Sequence, residues 1–279
     1  MTIDPKQVAA LREKTGAGMM ECRKALTEAN GNLEAAVDIL RAKGAASAAK
    51  KADRAANQGV IAQAILAGGK VGLLVEVNCE TDFVAKNDSF LATTAEWAKI
   101  LAENPATDLE PRRVEAIQKI GENIQIRRNI RFEVSGNGAV ASYIHLGGKI
   151  GVLLEVGAGK PETAHAEDFK QFVRDVTLHI AAASPVCLNR DQVPADLAER
   201  ERGICVEKAP KDKPAQVIEG IVKGMMNKFY ATACLLEQGF VKNPEQTITA
   251  LVAEKSKALG DTIEIRRFAR FQVGEEIAS

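Results

Sequence analysis

The stretch Asn78-Cys-Glu-Thr-Asp-Phe-Val-Ala85 holds the pair of residues best suited to contact chemistry, a carboxylate at Asp82 beside a large aromatic ring at Phe83. It follows a strand-like run, Val71 to Val77, and precedes a helix-like one, so Thr81, Asp82, Phe83 and Val84 fall on a strand-to-helix turn. Loops held between regular elements are where binding residues concentrate. A Phe is ordinarily a core residue, which sets a packing role for Phe83 against one in which the ring projects toward a partner.

Covalent and cofactor chemistry find no such foothold. Gly69-Lys70, Gly148-Lys149 and Gly159-Lys160 are followed by Val, Ile and Pro, where a P-loop needs Ser or Thr. Gly136-Asn-Gly-Ala-Val-Ala141 imitates a dinucleotide fingerprint but leads into a strand, and holding the phosphate requires a helix N-terminus. His145, His165 and His179 lack metal-ligand spacing, and no Cys or Ser has a general base close in sequence. Cys22, Cys79, Cys187, Cys205 and Cys234 are odd in number and scattered, so free thiols are expected, with Cys79 a small packing residue. The chain is expected to use no cofactor or metal and not to be an enzyme.

Lys and Arg total 37, as do Asp and Glu, so the overall balance gives no reason to expect nucleic acid or an anionic membrane as the main partner. The start, Met1-Thr-Ile-Asp-Pro-Lys-Gln, is not a charged-then-apolar leader, and no apolar run approaches the roughly 18 residues of a spanning helix. A cytoplasmic location is expected.

The elements that must position the Asp-Phe turn come from periodicity and a duplication. From Asp4 to Gly44, Val8, Leu11, Met19, Cys22, Leu26, Leu33, Val37 and Leu40 recur at helical spacing and predict a three-helix domain over 1–44. Of the adjacent Met19 and Met20, one is expected inside and one facing a partner. Residues 45–58 carry no large apolar side chain and read as a partly helical linker; the basic residues Lys50, Lys51 and Arg54 suit a solvated face, with RNA contact the alternative.

Beyond the linker, Gly69-Lys-Val-Gly-Leu-Leu-Val-Glu-Val matches Gly148-Lys-Ile-Gly-Val-Leu-Leu-Glu-Val at an offset of 79, and Ile120-Gly-Glu-Asn-Ile-Gln-Ile-Arg-Arg matches Leu259-Gly-Asp-Thr-Ile-Glu-Ile-Arg-Arg at 139. Each copy reads as a strand hairpin, helices and a closing strand, giving an α+β chain with core subdomains over 59–138 and 139–279. The extra length of the second copy falls within 187–239. There Val217, Ile218, Ile221, Val222, Met225, Met226, Phe229 and Tyr230 form a helical stripe, and Pro210-Lys-Asp-Lys-Pro214 turns two helices into an antiparallel hairpin. After its central strand the second copy has Gly157-Ala-Gly-Lys-Pro-Glu-Thr, without the Asp-Phe pair. A residue needed only by the shared fold should recur in both copies, so this loss favours the projecting reading of Phe83.

Asn78–Ala85, Thr15-Gly-Ala-Gly-Met-Met20 and Ile120-Gly-Glu-Asn123, in this order, closely resemble the bacterial translation elongation factor Ts family, over about Val8 to Val273. The resemblance implies a ubiquitin-associated-type N-terminal domain, a coiled-coil arm that serves self-association in some members, and guanine-nucleotide exchange on elongation factor Tu. It implies that Asp82 and Phe83 push between helices of that partner's nucleotide domain. It also implies partner contacts by Thr81, Val84, Ile120, Gly121, by His145 of the Ser142-Tyr-Ile-His145 segment, and by Arg12, Met19 and Met20. Some members continue into a further helix; Gly274-Glu-Glu-Ile-Ala-Ser279 is too short for one. The alternatives are a ribosome- or RNA-associated binding module and a thiol enzyme using Cys79.

Overall fold

The computed structural model describes residues 3–277; what the sequence suggests of Met1, Thr2, Ala278 and Ser279 lies outside the described residues. The chain opens with three helices, α1 (Pro5–Thr15), α2 (Met19–Glu28) and α3 (Leu33–Lys51). Asp4 caps α1 by accepting the Lys6 N–H at 2.9 Å, and Gly16, at φ 67°, ends it with its amide on the Arg12 carbonyl. Leu11, Cys22, Ala25, Leu26 and Leu40 fill the small core.

Two expectations need correction here. Met19 and Met20 are both exposed, at 58% and 63%, because Cys22 and Leu26 one and two turns later already occupy the core-facing side of α2. Residues 45–51 are helical, as expected, but rather than linking freely they pack on the fold as the last turns of α3. Its Gly44 lies against Val114 and Gln118, and its Ala48 is buried in the core of the first sheet. Small side chains here permit close approach of two helices, so the stretch buries a face without any large apolar residue.

The rest is built on two antiparallel three-stranded sheets. In the first, β1 (Gln58–Leu66) and β3 (Gln125–Glu133) flank β2 (Val71–Cys79), and α4 (Asp82–Ala85), α5 (Asp88–Glu103) and α6 (Glu110–Ile120) lie between β2 and β3 in sequence. In the second, β4 (Gly138–His145) and β8 (Ile263–Gln272) flank β5 (Ile150–Ala158). Between β5 and β8 come α7 (Pro161–His165), α8 (Glu167–Ala183), the arm helices α9 (Ala195–Lys208) and α10 (Ala215–Ala233), a small hairpin of β6 (Gly239–Phe240) and β7 (Asn243–Thr247), and α11 (Ile248–Leu259). Strand alternation divides each central strand between two cores. Leu73, Val75 and Val77 pack with Phe90, Trp97 and Ile117 from the first set of helices; Val152, Leu154 and Val156 pack with Phe169, Phe172 and Val176 of α8. The opposite faces meet each other through Ile61, Leu74, Phe132, Val140, Leu153 and Ala269.

That sheet-to-sheet contact is pseudo-symmetric. Glu76 is fully buried and pairs with Arg127 at 3.1 Å and Arg128 at 2.7 Å; its counterpart Glu155 pairs with Arg266 at 3.3 Å and Arg267 at 2.7 Å. Arg128 stacks on Phe271 of the other sheet, and Arg267 stacks on Phe132 of the first. Lys70 donates to the Gly138 carbonyl, and Lys149 donates to the equivalent Gly59 carbonyl and to the Gln58 side chain. Even the irregularity in the strand register recurs, after Glu76 and after Glu155. Gly72 and its counterpart Gly151 lie against the opposing sheet: a Cβ on Gly72 would clash with Val140 Cγ1, and one on Gly151 with Ile61 Cγ2.

The arm leaves the second sheet between Cys187 and Cys234, which form a parallel bridge at its root with their sulfurs 3.8 Å apart. Its two helices pack on each other through Cys205, Ala209 and Val222, with Ile218, Ile221, Met225 and Met226 partly covered. Arg190 closes the root, pairing with Glu237 at 2.6 Å and lying over the Tyr230 ring.

Candidate functional site

The Asp-Phe turn is positioned from the strand outward. The end of β2 is paired on both edges, Cys79 with Gln58 and Asn78 with Gln125, so the chain leaves the sheet from a fixed point. Glu122 then fixes the next two residues. Its carboxylate accepts the Glu80 and Thr81 N–H groups, each at 3.0 Å, and the Thr81 hydroxyl at 2.6 Å. The same Thr81 oxygen accepts the Val84 N–H at 3.3 Å and so caps α4. Glu80 in turn accepts the Asn123 N–H at 2.6 Å and faces Arg54 at 3.4 Å, while the Asn123 amide donates to the Ala52 and Arg54 carbonyls. Gly121, at φ 90°, ends α6 and turns the chain toward Glu122.

On this support α4 divides its side chains. Ala85 is buried and Val84 packs against the first core, whereas Phe83 is 83% exposed, more than any other large apolar side chain among the described residues. The core reading of Phe83 fails because that core is already filled by Phe90, Trp97 and Ile117. Asp82 pairs with Lys86 one turn on at 2.8 Å, and the hydrogen bond and charge of Lys86 hold its carboxyl below the usual carboxylate range. Asp82 is therefore charged at neutral pH.

The second copy serves as an internal control. Its equivalent of Thr81, Lys160, donates its N–H at 2.8 Å to Asp261, the equivalent of Glu122. The acidic brace thus belongs to the fold. Asp82 and Phe83, replaced there by Pro161 and Glu162 at the start of α7, do not.

The other expected contact residues fall in two groups. Ile120 is half-buried against the first core and Gly121 is exposed beside the Asp-Phe turn. The α1–α2 turn adjoins them, since a Cβ on Gly16 would lie 3.8 Å from Lys119 Cδ; Arg12, Met19 and Met20 flank that turn and are exposed. His145 ends β4, exposed, with its Nδ1 3.0 Å from the Tyr143 hydroxyl. It belongs to the same end of the molecule as Phe83, because the turn that follows it seats Gly148 on Val60 and Lys149 on Gln58, the residue paired with Cys79. Sequence reading passed over Glu122 as a support. Its signal was the acidic residue at the same place in both repeats.

Little here suits covalent chemistry. Burial first, and the Glu122 charge second, push the Cys79 thiol up to about 11, and it donates to the Thr81 carbonyl at 3.2 Å; it packs rather than attacks. All five cysteines are buried and unbonded. The described residues include no His, Cys, Asp and Glu group arranged for a metal ion and no helix long and apolar enough to cross a membrane. A cleft of about 810 Å³ lies between the N-terminal helices and α6, lined by Lys14, Arg41, Val114 and Glu115 among others, away from the Asp-Phe turn. The Phe83 ring projects from α4 into solvent.

Residues 80–275 match the family model for elongation factor Ts. The chain belongs to the elongation factor Ts family. A curated elongation factor Ts from Trichlorobacter lovleyi is 46% identical, over 99% of this chain and 94% of the relative. Those of Syntrophotalea carbinolica and Clostridium botulinum are 45% and 43% identical over the same shares. Membership of the elongation factor Ts family implies a nucleotide exchange factor for elongation factor Tu in translation.

Proposed function

We propose that this protein releases GDP from elongation factor Tu by pressing Phe83, with Asp82 beside it, between helices of the partner's nucleotide-binding domain. Displacing those helices disturbs the magnesium and phosphate contacts that hold GDP. The observation that carries this reading is a Phe that is 83% exposed on a turn whose Glu80, Thr81 and Val84 N–H groups are all held by side chains, and that is missing from the second copy of the same fold.

Magnitudes limit what one ring can do. Weakening a nucleotide ten-thousand-fold diverts about 5.5 kcal/mol of binding energy. Burying a Phe contributes about 1.5–3 kcal/mol, so Phe83 supplies roughly half at most and further anchors must share the load. We assign Thr81, Val84, Ile120, Gly121 and His145 to the surroundings of the wedge. Arg12, Met19 and Met20 extend the contact from the N-terminal helices. By reciprocity, nucleotide weakens this protein's grip by the same factor, so GTP binding releases it. An RNA-binding role gains no support from Arg54, which is engaged with Glu80.

The test is stopped-flow release of fluorescent GDP from elongation factor Tu, with excess unlabelled GDP and increasing amounts of this protein. Acceleration that saturates supports the reading; release at the intrinsic rate at every concentration would exclude it.

A further inference from the structure

The duplication that isolates Phe83 isolates a second residue. The β4–β5 turn, Leu146-Gly147-Gly148, has φ values of 51°, 62° and 96°; the β1–β2 turn, Ala67-Gly68-Gly69, has 50°, 63° and 92°. The two turns are the same backbone structure, including a left-handed first residue that non-glycine side chains seldom adopt. Ala67 shows that the fold needs nothing larger than a methyl group there. In the second copy the position carries Leu146, 67% exposed, second only to Phe83 among the large apolar side chains described.

Pseudo-symmetry also places it. The Leu146 turn rests on Val60 through Gly148, and Lys149 reaches Gln58 and Gly59, which pair with Cys79 and Asn78 at the root of the Asp-Phe turn. The symmetry-equivalent end of the molecule bears Ala67 and Glu162 in place of Leu146 and Phe83. One end of the duplicated fold therefore carries its two most exposed large apolar side chains, Phe83 and Leu146, with the charged Asp82 and with His145 between strand and turn. The other end carries Ala67 and Glu162 at the equivalent places.

We infer that Leu146 is a second apolar anchor on the same partner surface that receives Phe83. The inference rests on the exchange reading above and deepens it. Because Leu146 sits on a hairpin of the second subdomain, its contact fixes the orientation of the wedge relative to the partner; it adds binding while Phe83 does the displacing. The occupant is an apolar groove on the nucleotide-binding partner, continuous with the one that takes Phe83. Neither a lipid surface nor RNA fits a pair of isolated apolar side chains flanked by a carboxylate.

Leu146→Ala, Phe83→Ala and Ala67→Leu should be compared in the GDP-release assay over a concentration series. Truncating a buried interface Leu corresponds to roughly a tenfold or greater change. For Leu146→Ala the half-saturating concentration should rise about tenfold with the maximal rate largely kept. Ala67→Leu, which builds the same turn at the opposite end, should behave as the parent. The turn tolerates Ala at this φ, as Ala67 shows, so Leu146→Ala should melt with the parent. If Phe83→Ala loses exchange and Leu146→Ala matches the parent, the anchor inference is overturned and the wedge reading stands. If Phe83→Ala matches the parent, the wedge reading itself is overturned. An equal loss for Ala67→Leu and Leu146→Ala would also overturn the inference, because the two ends would then be equivalent.

Discussion

Removing the Glu122 carboxylate separates the support of the site from its tip. Glu122 accepts two backbone N–H groups at 3.0 Å and the Thr81 hydroxyl at 2.6 Å, all partly exposed. At about 1 kcal/mol net for each such bond, the set holds the turn by about 3 kcal/mol. Water can satisfy the freed groups, so Glu122→Ala should leave the sheets folded while the turn samples other conformations. With 1.4 kcal/mol per factor of ten, the upper limit is a loss of roughly a hundredfold in exchange at sub-saturating concentration. Asp261→Ala is the matched control, because Asp261 braces the equivalent turn in the second copy by accepting the Lys160 N–H at 2.8 Å. Stopped-flow GDP release and thermal melting should be run on both. Glu122→Ala should lose exchange with a modest change in melting temperature, and Asp261→Ala should keep exchange. Equal losses in both, or parental exchange in Glu122→Ala, would refute the idea that Glu122 presents Phe83.

Three further outcomes follow from the geometry. Gly72→Ala and Gly151→Ala each place a methyl group in a clash with a side chain of the opposing sheet, and each should destabilise the protein by about 1–3 kcal/mol in chemical denaturation. Burial pushes His179 below the ordinary histidine range; its Nδ1 accepts the Val241 N–H at 3.1 Å, leaving Nε2–H to donate to Gln238. The unfolded chain therefore takes up the proton first, so stability is intact above about pH 6.5 and falls as pH drops below it, by at most about 1.4 kcal/mol per pH unit. His179→Asn should flatten that part of the melting-temperature profile. Replacing residues 191–232 with a short glycine linker should leave one cooperative melting transition, because Leu188 and Leu235, at the root of the arm, stay in the second core; a broad, non-cooperative melt would show that the arm is part of the core.

The sequence was most informative where one period or one repeat set the answer. Strand alternation and the two offsets anticipated both sheets. The end of α3 was hidden because Ala45–Ala49 has no large side chain to mark a face; its burial depends on α6, brought near only by the fold. The β6–β7 hairpin was hidden in a polar, proline-containing segment too short to show alternation. Met19 and Met20 misled because their sidedness depends on how far a small core is already filled. Within the site, Asp82 and Phe83 were legible as a motif, whereas Glu122 acts through atoms 41 and 42 residues away in sequence.

The central claim is that Phe83 is a projecting wedge and no part of the core, and one pair of measurements on Phe83→Ala tests it most directly. Thermal melting and saturating stopped-flow GDP release from elongation factor Tu should be recorded on the same preparation. Because the ring is 83% exposed, its removal should leave the melting temperature within a degree or two of the parent, since surface substitutions fall within about 0.5 kcal/mol. Maximal GDP release should fall at least roughly tenfold, in line with the 1.5–3 kcal/mol expected of a buried Phe. A collapsed melting transition, or a maximal rate equal to the parent's, would contradict the account.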